Sequence, residues 1–409
     1  MFGLLETFGI FGLISTLLAL LYAYRAVQLA VTIYRQWTKL LEAPLTRYKK
    51  HIAEQASFFV AVPPSVFFHE LGHALAVWGF GGQVVRFGYY FFWGFVQPDR
   101  VFPNAQQWFI SLAGTLGSLL FGFVVWILLR QHRAASMRYF GLRAFRFQII
   151  FSLVYYPLLS LVLPIGDWLT IYNFEATPIL SGATAVFHAL LLLLYWLAER
   201  NGRFETPSHI NEQAEQAFSQ LEEAVQQNPH NQNNQLAYID LLRQGGAPRT
   251  ANKQLQQFLA ENPDSAEGNL QLAALQVENQ QEIPPKAKES AQKALALGLT
   301  KPLQKAAAYQ IIGRFYLDRG DGEQAEEQLA EAILAITASN GEVADQRLHA
   351  RLLHLRSQAY RRQKKYEQAI DDIDKAIGIA EQTDNKQALS FYQSEKETIV
   401  TIAKRPLSQ

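Results

Sequence analysis

The first 200 residues carry apolar runs about as long as a bilayer is thick, and one of these runs contains His69-Glu70-Leu71-Gly72-His73. A helix that crosses hydrocarbon needs roughly 20 mostly apolar residues. Residues 8–24, prolonged by 26–34, meet that length. No basic residue precedes them, and Arg25, Arg35 and Lys39 follow, which is the charge order of a retained signal-anchor and not of a cleaved leader. The second run, 57–80, holds the HELGH sequence and opens with Pro63-Pro64, a pair suited to the first turn of a helix. Three further spans are expected at about 108–129, 147–171 and 178–197. In the third, Gly114, Ser118 and Gly122 recur at four-residue spacing, which lets a neighbouring helix approach closely. Pro157 and Pro164 predict kinks in the fourth. Residues 81–99 are aromatic, partly β-branched and broken by Gly88, Gly94 and Pro98, which predicts a short β-like hairpin.

Charge orders these spans. The stretches at 25–50, 130–146 and beyond 199 are basic, while 81–105 and 170–177 carry little or no Lys and Arg. The positive-inside rule then predicts about five spans, with the N-terminus outside and the C-terminal half in the cytoplasm. An integral, multi-pass protein in the lipid bilayer follows; a bacterial inner membrane and a thylakoid or plastid membrane suit it equally. The net charge of +1 argues against a nucleic-acid partner. The absence of cysteine excludes disulfides and thiolate metal sites, so any metal must be held by His, Asp or Glu.

From about residue 208 the chain turns rich in Gln, Glu, Ala and Lys, and it repeats. Ala217, Leu221, Ala224 and Pro229 return as Ala251, Leu255, Phe258 and Pro263, an offset of about 34 residues. Fuller copies hold Tyr309, Gly313, Ala325 and Leu329, and then Leu353, Tyr360, Ala369 and Ile373. A weaker copy holds Leu272, Ala273, Ala287, Ala291 and Ala294, and residues 338–346 read as an insertion. This pattern resembles the tetratricopeptide repeat, a helix–turn–helix unit with small residues where its helices cross. The expected architecture is therefore all-α. Residues 1–200 form a polytopic membrane-embedded domain, 201–211 a short polar linker, and 212–409 a soluble α-solenoid with a C-terminal capping helix at about 385–404. Such a stack offers a concave surface for a peptide or protein partner.

On a helix, His69 and His73 project from one face, and two neutral imidazoles at that spacing can share a Zn²⁺ ion. Glu70 lies one step round, placed to act on water at the metal and not to ligate it. Such residues are rare in membrane spans, which gives the motif weight here. HELGH, the small-residue span at 113–122 and a later membrane-embedded Asp together resemble the site-2 protease family of intramembrane zinc metalloproteases, over about residues 57–175. The resemblance implies that His69 and His73 ligate Zn²⁺ and that Glu70 is the catalytic general base. It implies a third ligand in an Asp two spans later, and Asp167 occupies that place. Its context departs from the family's Asn-Pro-Asp-Gly or Leu-Asp-Gly, for Gly166 precedes it and Trp168 follows. Asp99, in a Gln-Pro-Asp-Arg turn, and His188, in the fifth span, are the competing third ligands; Glu175 reads as solvated. The implied function is a zinc endopeptidase that cuts membrane-protein substrates with zinc-activated water, its cytoplasmic repeats binding substrate or a regulator. The alternative is a catalytically weak or inactive membrane scaffold that acts through its repeats.

Overall fold

The computed structural model describes residues 2–91, 93–163, 165–278, 280–337 and 343–404. It divides into two compact units, one formed by 1–223 with 244–250 and the other by 224–243 with 251–409. Helix predominates, and the one sheet among the described residues has two strands.

The first unit opens with α1 (Phe2–Arg35), a single turn-rich α2 (Trp37–Leu41) and α3 (Arg47–Phe59). The polar, basic stretch at 38–56 is thus largely helical, and Thr46 caps α3 by accepting from the Lys49 amide at 3.3 Å. α4 (Val62–Gly79) carries HELGH, with both prolines in its first turn, where no amide hydrogen is needed. The predicted hairpin is present: β1 (Val84–Tyr89) pairs antiparallel with β2 (Gly94–Pro98), Phe87 opposite Val96, with an irregularity between Val84 and Arg86. Then come α5 (Asn104–Leu129) and α6 (Ala135–Ile150). A π-helical turn at Phe151–Tyr155 leads into α7 (Tyr156–Val162), followed by the short α8 (Asp167–Ile171) and by α9 (Pro178–Arg200).

Four stretches among the described residues are long and apolar enough to cross a membrane: Leu17–Arg35, Asn104–Leu129, Ala135–Val162 and Pro178–Arg200. Five spans were expected. The helix missing from these four is α4, whose apolar content is diluted by His69, Glu70, His73 and the two prolines. The fourth span also begins earlier than the apolar run suggested. Arg138, Arg143 and Arg146, read as loop residues, lie on α6. Partners make this tolerable: Arg146 pairs with Glu199 of α9, and Arg143 lies 3.7 Å from Glu54 of α3. Pro157 produces the π turn just before it; Pro164 lies outside the described residues.

The distribution of polarity in this unit is the reverse of an aqueous globule. Leu20 and Leu21 of α1, Leu120 and Leu128 of α5, and Val186 and Phe187 of α9 face outward. Ser65, Thr115, Ser118, Gln148 and Ser160 are buried. An apolar outer surface of this extent suits hydrocarbon and not water. Small and hydroxyl-bearing residues inside are what close helix packing in lipid uses. The tightest crossing joins α4 to α5. A Cβ added at Gly72 would overlap the Ala113 carbonyl, and one added at Gly117 would overlap the Phe68 carbonyl. Ser65 donates to Gln148 of α6 at 2.7 Å and ties the base of α4 to a third helix.

The helices that follow are α10 (Glu212–Gln227), α11 (Gln232–Gln244), α12 (Pro248–Glu261), α13 (Ala266–Val277) and α14 (Pro285–Ala296). After them come α15 (Pro302–Asp318), α16 (Gly322–Thr337), α17 (Val343–Arg362), α18 (Tyr366–Gln382) and α19 (Lys386–Ala403). From α13 to α19 each helix packs on the next. Eight of the repeat positions read from sequence are contact positions, whereas in the first copy Ala217 is exposed and the neighbouring Phe218 is buried in its stead. Ala251 and Leu255 of α12, Ala287 and Ala291 of α14, Ala325 and Leu329 of α16, and Ala369 and Ile373 of α18 are all fully buried. The insertion expected at 338–346 lies partly outside the described residues, and α17 has begun by Val343.

The α4–α5 crossing makes a stability prediction. Gly117→Val should destabilise the first unit by about 1–3 kcal/mol, because overpacking a close contact forces backbone shifts. Gly182→Ala, where an added Cβ meets nothing within 4 Å, should leave it unchanged or slightly more stable. Thermal unfolding in detergent measures both; an equal melting temperature for Gly117→Val and the parent would contradict the crossing.

Candidate metal centre

α4 presents His69 and His73 from successive turns, their ring centroids 4.7 Å apart. Asp167, the first residue of α8, reaches between them. Its Oδ2 is 2.9 Å from His69 Nε2 and 3.2 Å from His73 Nε2. The structure therefore brings together all three residues proposed as ligands, with one ligand atom of each within 4.8 Å of the others.

The other ring nitrogens decide what the inner ones do. His73 Nδ1 donates to the Ile110 carbonyl at 2.7 Å, and His69 Nδ1 lies 3.3 Å from Ser118 Oγ. Both partners belong to α5, so the glycine-lined crossing also orients the imidazoles. A carbonyl can only accept, so His73 carries its hydrogen on Nδ1 and, when neutral, turns the Nε2 lone pair toward Asp167. With both Nε2 atoms unprotonated, two lone-pair donors and a carboxylate oxygen facing one another repel unless a proton or a metal ion lies among them. Tetrahedral zinc with ligands at about 2.0–2.1 Å separates its ligand atoms by roughly 3.3 Å. The two Nε2–Oδ2 distances are of that size. Glu70 adds to the fit. It is 4% exposed, and its Oε2 has no hydrogen-bond partner among the described residues. The donor set can hold a divalent cation with a carboxylate beside it.

Space for such an ion is kept by glycine. A Cβ at Gly114 would run into both His73 and the Nε2 of His69, and a Cβ at Gly94, which opens β2, would stand 2.7 Å from Glu70 Oε1. The hairpin therefore rests directly on the Glu70 carboxylate. Gly114 is visible in the sequence as part of a helix-packing pattern; its second role, leaving room at two imidazoles, has no local signal.

Asp167 is held by a residue that sequence reasoning missed. Tyr156 donates to Asp167 Oδ2 at 2.9 Å and its hydroxyl accepts from the Asp167 amide at 3.1 Å. The departure at Gly166 follows from the same contact. Gly166 has φ +98°, a left-handed conformation that favours glycine, and a Cβ there would stand 2.9 Å from the Tyr156 hydroxyl. Trp168 is buried and lies 4.7 Å, ring to ring, from His188.

The rival ligands are engaged elsewhere. His188 Nε2 is 2.7 Å from the Leu153 carbonyl, and its Nδ1 bonds the Tyr172 hydroxyl. That carbonyl is available because Pro157, four residues on, has no amide hydrogen to offer it. Asp99 accepts from the Gln83 amide at 2.9 Å and closes the base of the hairpin. Glu175 is exposed.

No protein-family model matches the chain, and no curated protein matches it.

Tyr156 gives the test of this arrangement. Tyr156→Phe removes one bond to Asp167 and should weaken metal affinity about 10–100-fold, the usual effect of losing a group that orients a ligand. Gly114→Ala should abolish stoichiometric binding while helicity is retained. Metal content after dialysis against a graded chelator, with circular dichroism alongside, reads both; parental affinity in both variants would refute the geometry.

Proposed function

We propose that the chain is an intramembrane zinc endopeptidase of the site-2 protease type, with His69, His73 and Asp167 as the metal ligands and Glu70 as general base. The observation that carries this reading is the convergence of three lone-pair donors from α4 and α8 beside a buried carboxylate, within a unit whose outer surface is apolar. When bound, zinc supplies Lewis acidity that polarises a scissile carbonyl and acidifies water. Glu70 Oε2 takes a proton from the attacking water and delivers it to the leaving amine nitrogen. The Ile110 carbonyl keeps His73 in the tautomer whose Nε2 is free to ligate, and the Ser118 hydroxyl orients the His69 ring. Tyr156 keeps Asp167 turned toward them.

A substrate helix hides its carbonyls in its own hydrogen bonds and must unwind to be cut. The hairpin, resting on Glu70, offers a strand edge on which an unwound segment can add. In this reading the chain is a multi-pass membrane protein with its N-terminus outside and its helix pairs, a tetratricopeptide-like solenoid, in the cytoplasm, where they bind substrate or a regulator. The membrane is a bacterial inner membrane or a thylakoid or plastid membrane.

The scaffold alternative has one feature in its favour, the Gly166 and Trp168 context of Asp167. Gly166 is accounted for by its backbone conformation and its contact with Tyr156, which leaves Asp167 directed at the imidazoles.

The decisive comparison uses purified parent, Glu70→Gln and Asp167→Ala with membrane-protein substrates. Glu70→Gln is expected to keep its zinc and lose at least about 10²-fold in cleavage, as removal of a general base does. Asp167→Ala is expected to lose zinc as well. A folded parent that binds no zinc would defeat the proposal.

A further inference from the structure

The second unit contains a groove of about 500 Å³ between α15, α17 and α19. Four arginines line it: Arg314 from α15, and Arg347, Arg351 and Arg362 from α17. None of the four has an ion pair or side-chain hydrogen bond with another described residue. Their neighbours on α17 differ. Arg356 is held by both oxygens of Asp372, at 2.7 and 2.8 Å, and Arg361 stands 3.8 Å from Glu395. The carboxylates near the groove are occupied: Asp318 Oδ2 accepts from the Ile283 amide at 2.7 Å, and Glu395 is shared by Arg361 and His354. Four guanidinium groups therefore face one cavity whose lining holds a single carboxylate, Asp318, and none of the four is paired with it, in a half of the chain where Asp and Glu outnumber Lys and Arg.

The groove also has an apolar side. Leu317 and Leu355 contribute to its wall, and Phe391 of α19 lies at its lip, half exposed. Beneath it, His354 sits 5.1 Å from the Phe391 ring and 5.5 Å from the buried Tyr392 ring. A volume of this size lies in the ~300–1,000 Å³ range of cavities that enclose a ligand. Guanidinium groups match carboxylates through paired hydrogen bonds, and an exposed aromatic ring seats an apolar side chain. A long polyanion fits less well, because beyond the four arginines its charges would run over a unit in which acidic residues outnumber basic ones.

We propose that this groove binds an acidic peptide segment, its carboxylates paired with Arg314, Arg347, Arg351 and Arg362 and an apolar side chain seated on Phe391. The proposal deepens the reading of the helix pairs as a partner-binding domain and is independent of the metal centre. Guanidinium spacing along α17 sets the pattern. Arg347 and Arg351 are four residues apart and share a helix face, so carboxylates on alternating peptide residues can reach both.

The test uses the full chain in detergent micelles and two fluorescein-labelled twelve-residue peptides, one of repeated Asp-Glu-Phe and one of repeated Asn-Gln-Phe, read by anisotropy. The acidic peptide should bind at least about tenfold more tightly, and its affinity should fall as salt rises from 0.05 to roughly 0.5 M. Arg314→Glu and Arg351→Glu should each weaken it about tenfold or more, and Phe391→Ala several-fold, while Lys305→Glu, outside the groove, should not change it. Arg351→Gln, at an exposed residue, replaces any reversal that unfolds the unit by circular dichroism. Acidic-peptide binding that the arginine variants leave intact would overturn the proposal, and so would tighter binding of a twelve-nucleotide single strand. Equal affinity for both peptides, lowered by Phe391→Ala alone, would overturn the acidic preference and leave the partner-binding reading standing. Binding of neither peptide would count against both.

Discussion

The first unit depends on how closely α4 and α5 cross. Gly72 meets the Ala113 carbonyl and Gly117 meets the Phe68 carbonyl, so the two backbones touch with no side chain between them. That contact brings the Ile110 carbonyl and Ser118 hydroxyl within reach of the two imidazoles. It also puts Gly114 where any larger residue would fill the space among the ligand atoms. Helix packing and the spacing of the His69–His73–Asp167 cluster are therefore a single feature of α5. A residue change that spread the helices would cost contact area and release the hydrogen bonds that orient both histidines together.

Asp167 arrives from the other side by a different device. A proline that cannot donate frees the Leu153 carbonyl, which His188 takes up, and the π turn at Phe151–Tyr155 ends at the residue before Tyr156. Tyr156 then bonds both the side chain and the amide of Asp167. A polar side chain buried in a unit with an apolar exterior must find such partners or impose a desolvation cost of several kcal/mol. The network His188–Leu153 and Tyr156–Asp167 shows where those partners are. It also explains why a histidine in the last long apolar helix is a packing element and not a ligand.

The second unit is held by another kind of contact. Its fully buried alanines, one set per helix pair, let neighbouring helices approach, and the larger Leu255, Leu329 and Ile373 fill the space beside them. Charge is used sparingly inside: Asp372, 1% exposed, is neutralised by the bidentate Arg356. Breaking such a pair leaves an uncompensated buried charge, so the pair specifies how α17 meets α18. Arginines of the same helix that lack such partners line the groove.

Much of this was legible in the sequence because it is local. The 3.6-residue period puts His69 and His73 on one face of a helix with Glu70 one step round, and Gly and Pro punctuation marked the hairpin at 84–98. Recurrence of Ala251, Ala287, Ala325 and Ala369 marked the helix pairs of the second half. Asp167 was legible only through resemblance, since nothing local to it points 98 residues back to His69. The start of α6 was misread, because Arg138, Arg143 and Arg146 look like loop residues until Glu199 and Glu54 are seen beside them. Tyr156 carried no signal, and Gly94 and Gly166 signalled a hairpin and a changed context but not their contacts with Glu70 and Tyr156. By itself the sequence determined which side chains share a helix face, because helical period is a property of the backbone. Only the tertiary structure decided which lone pairs converge, which histidine is spent on a carbonyl, and which arginines lack a partner. Those outcomes depend on distances between elements that no local pattern encodes.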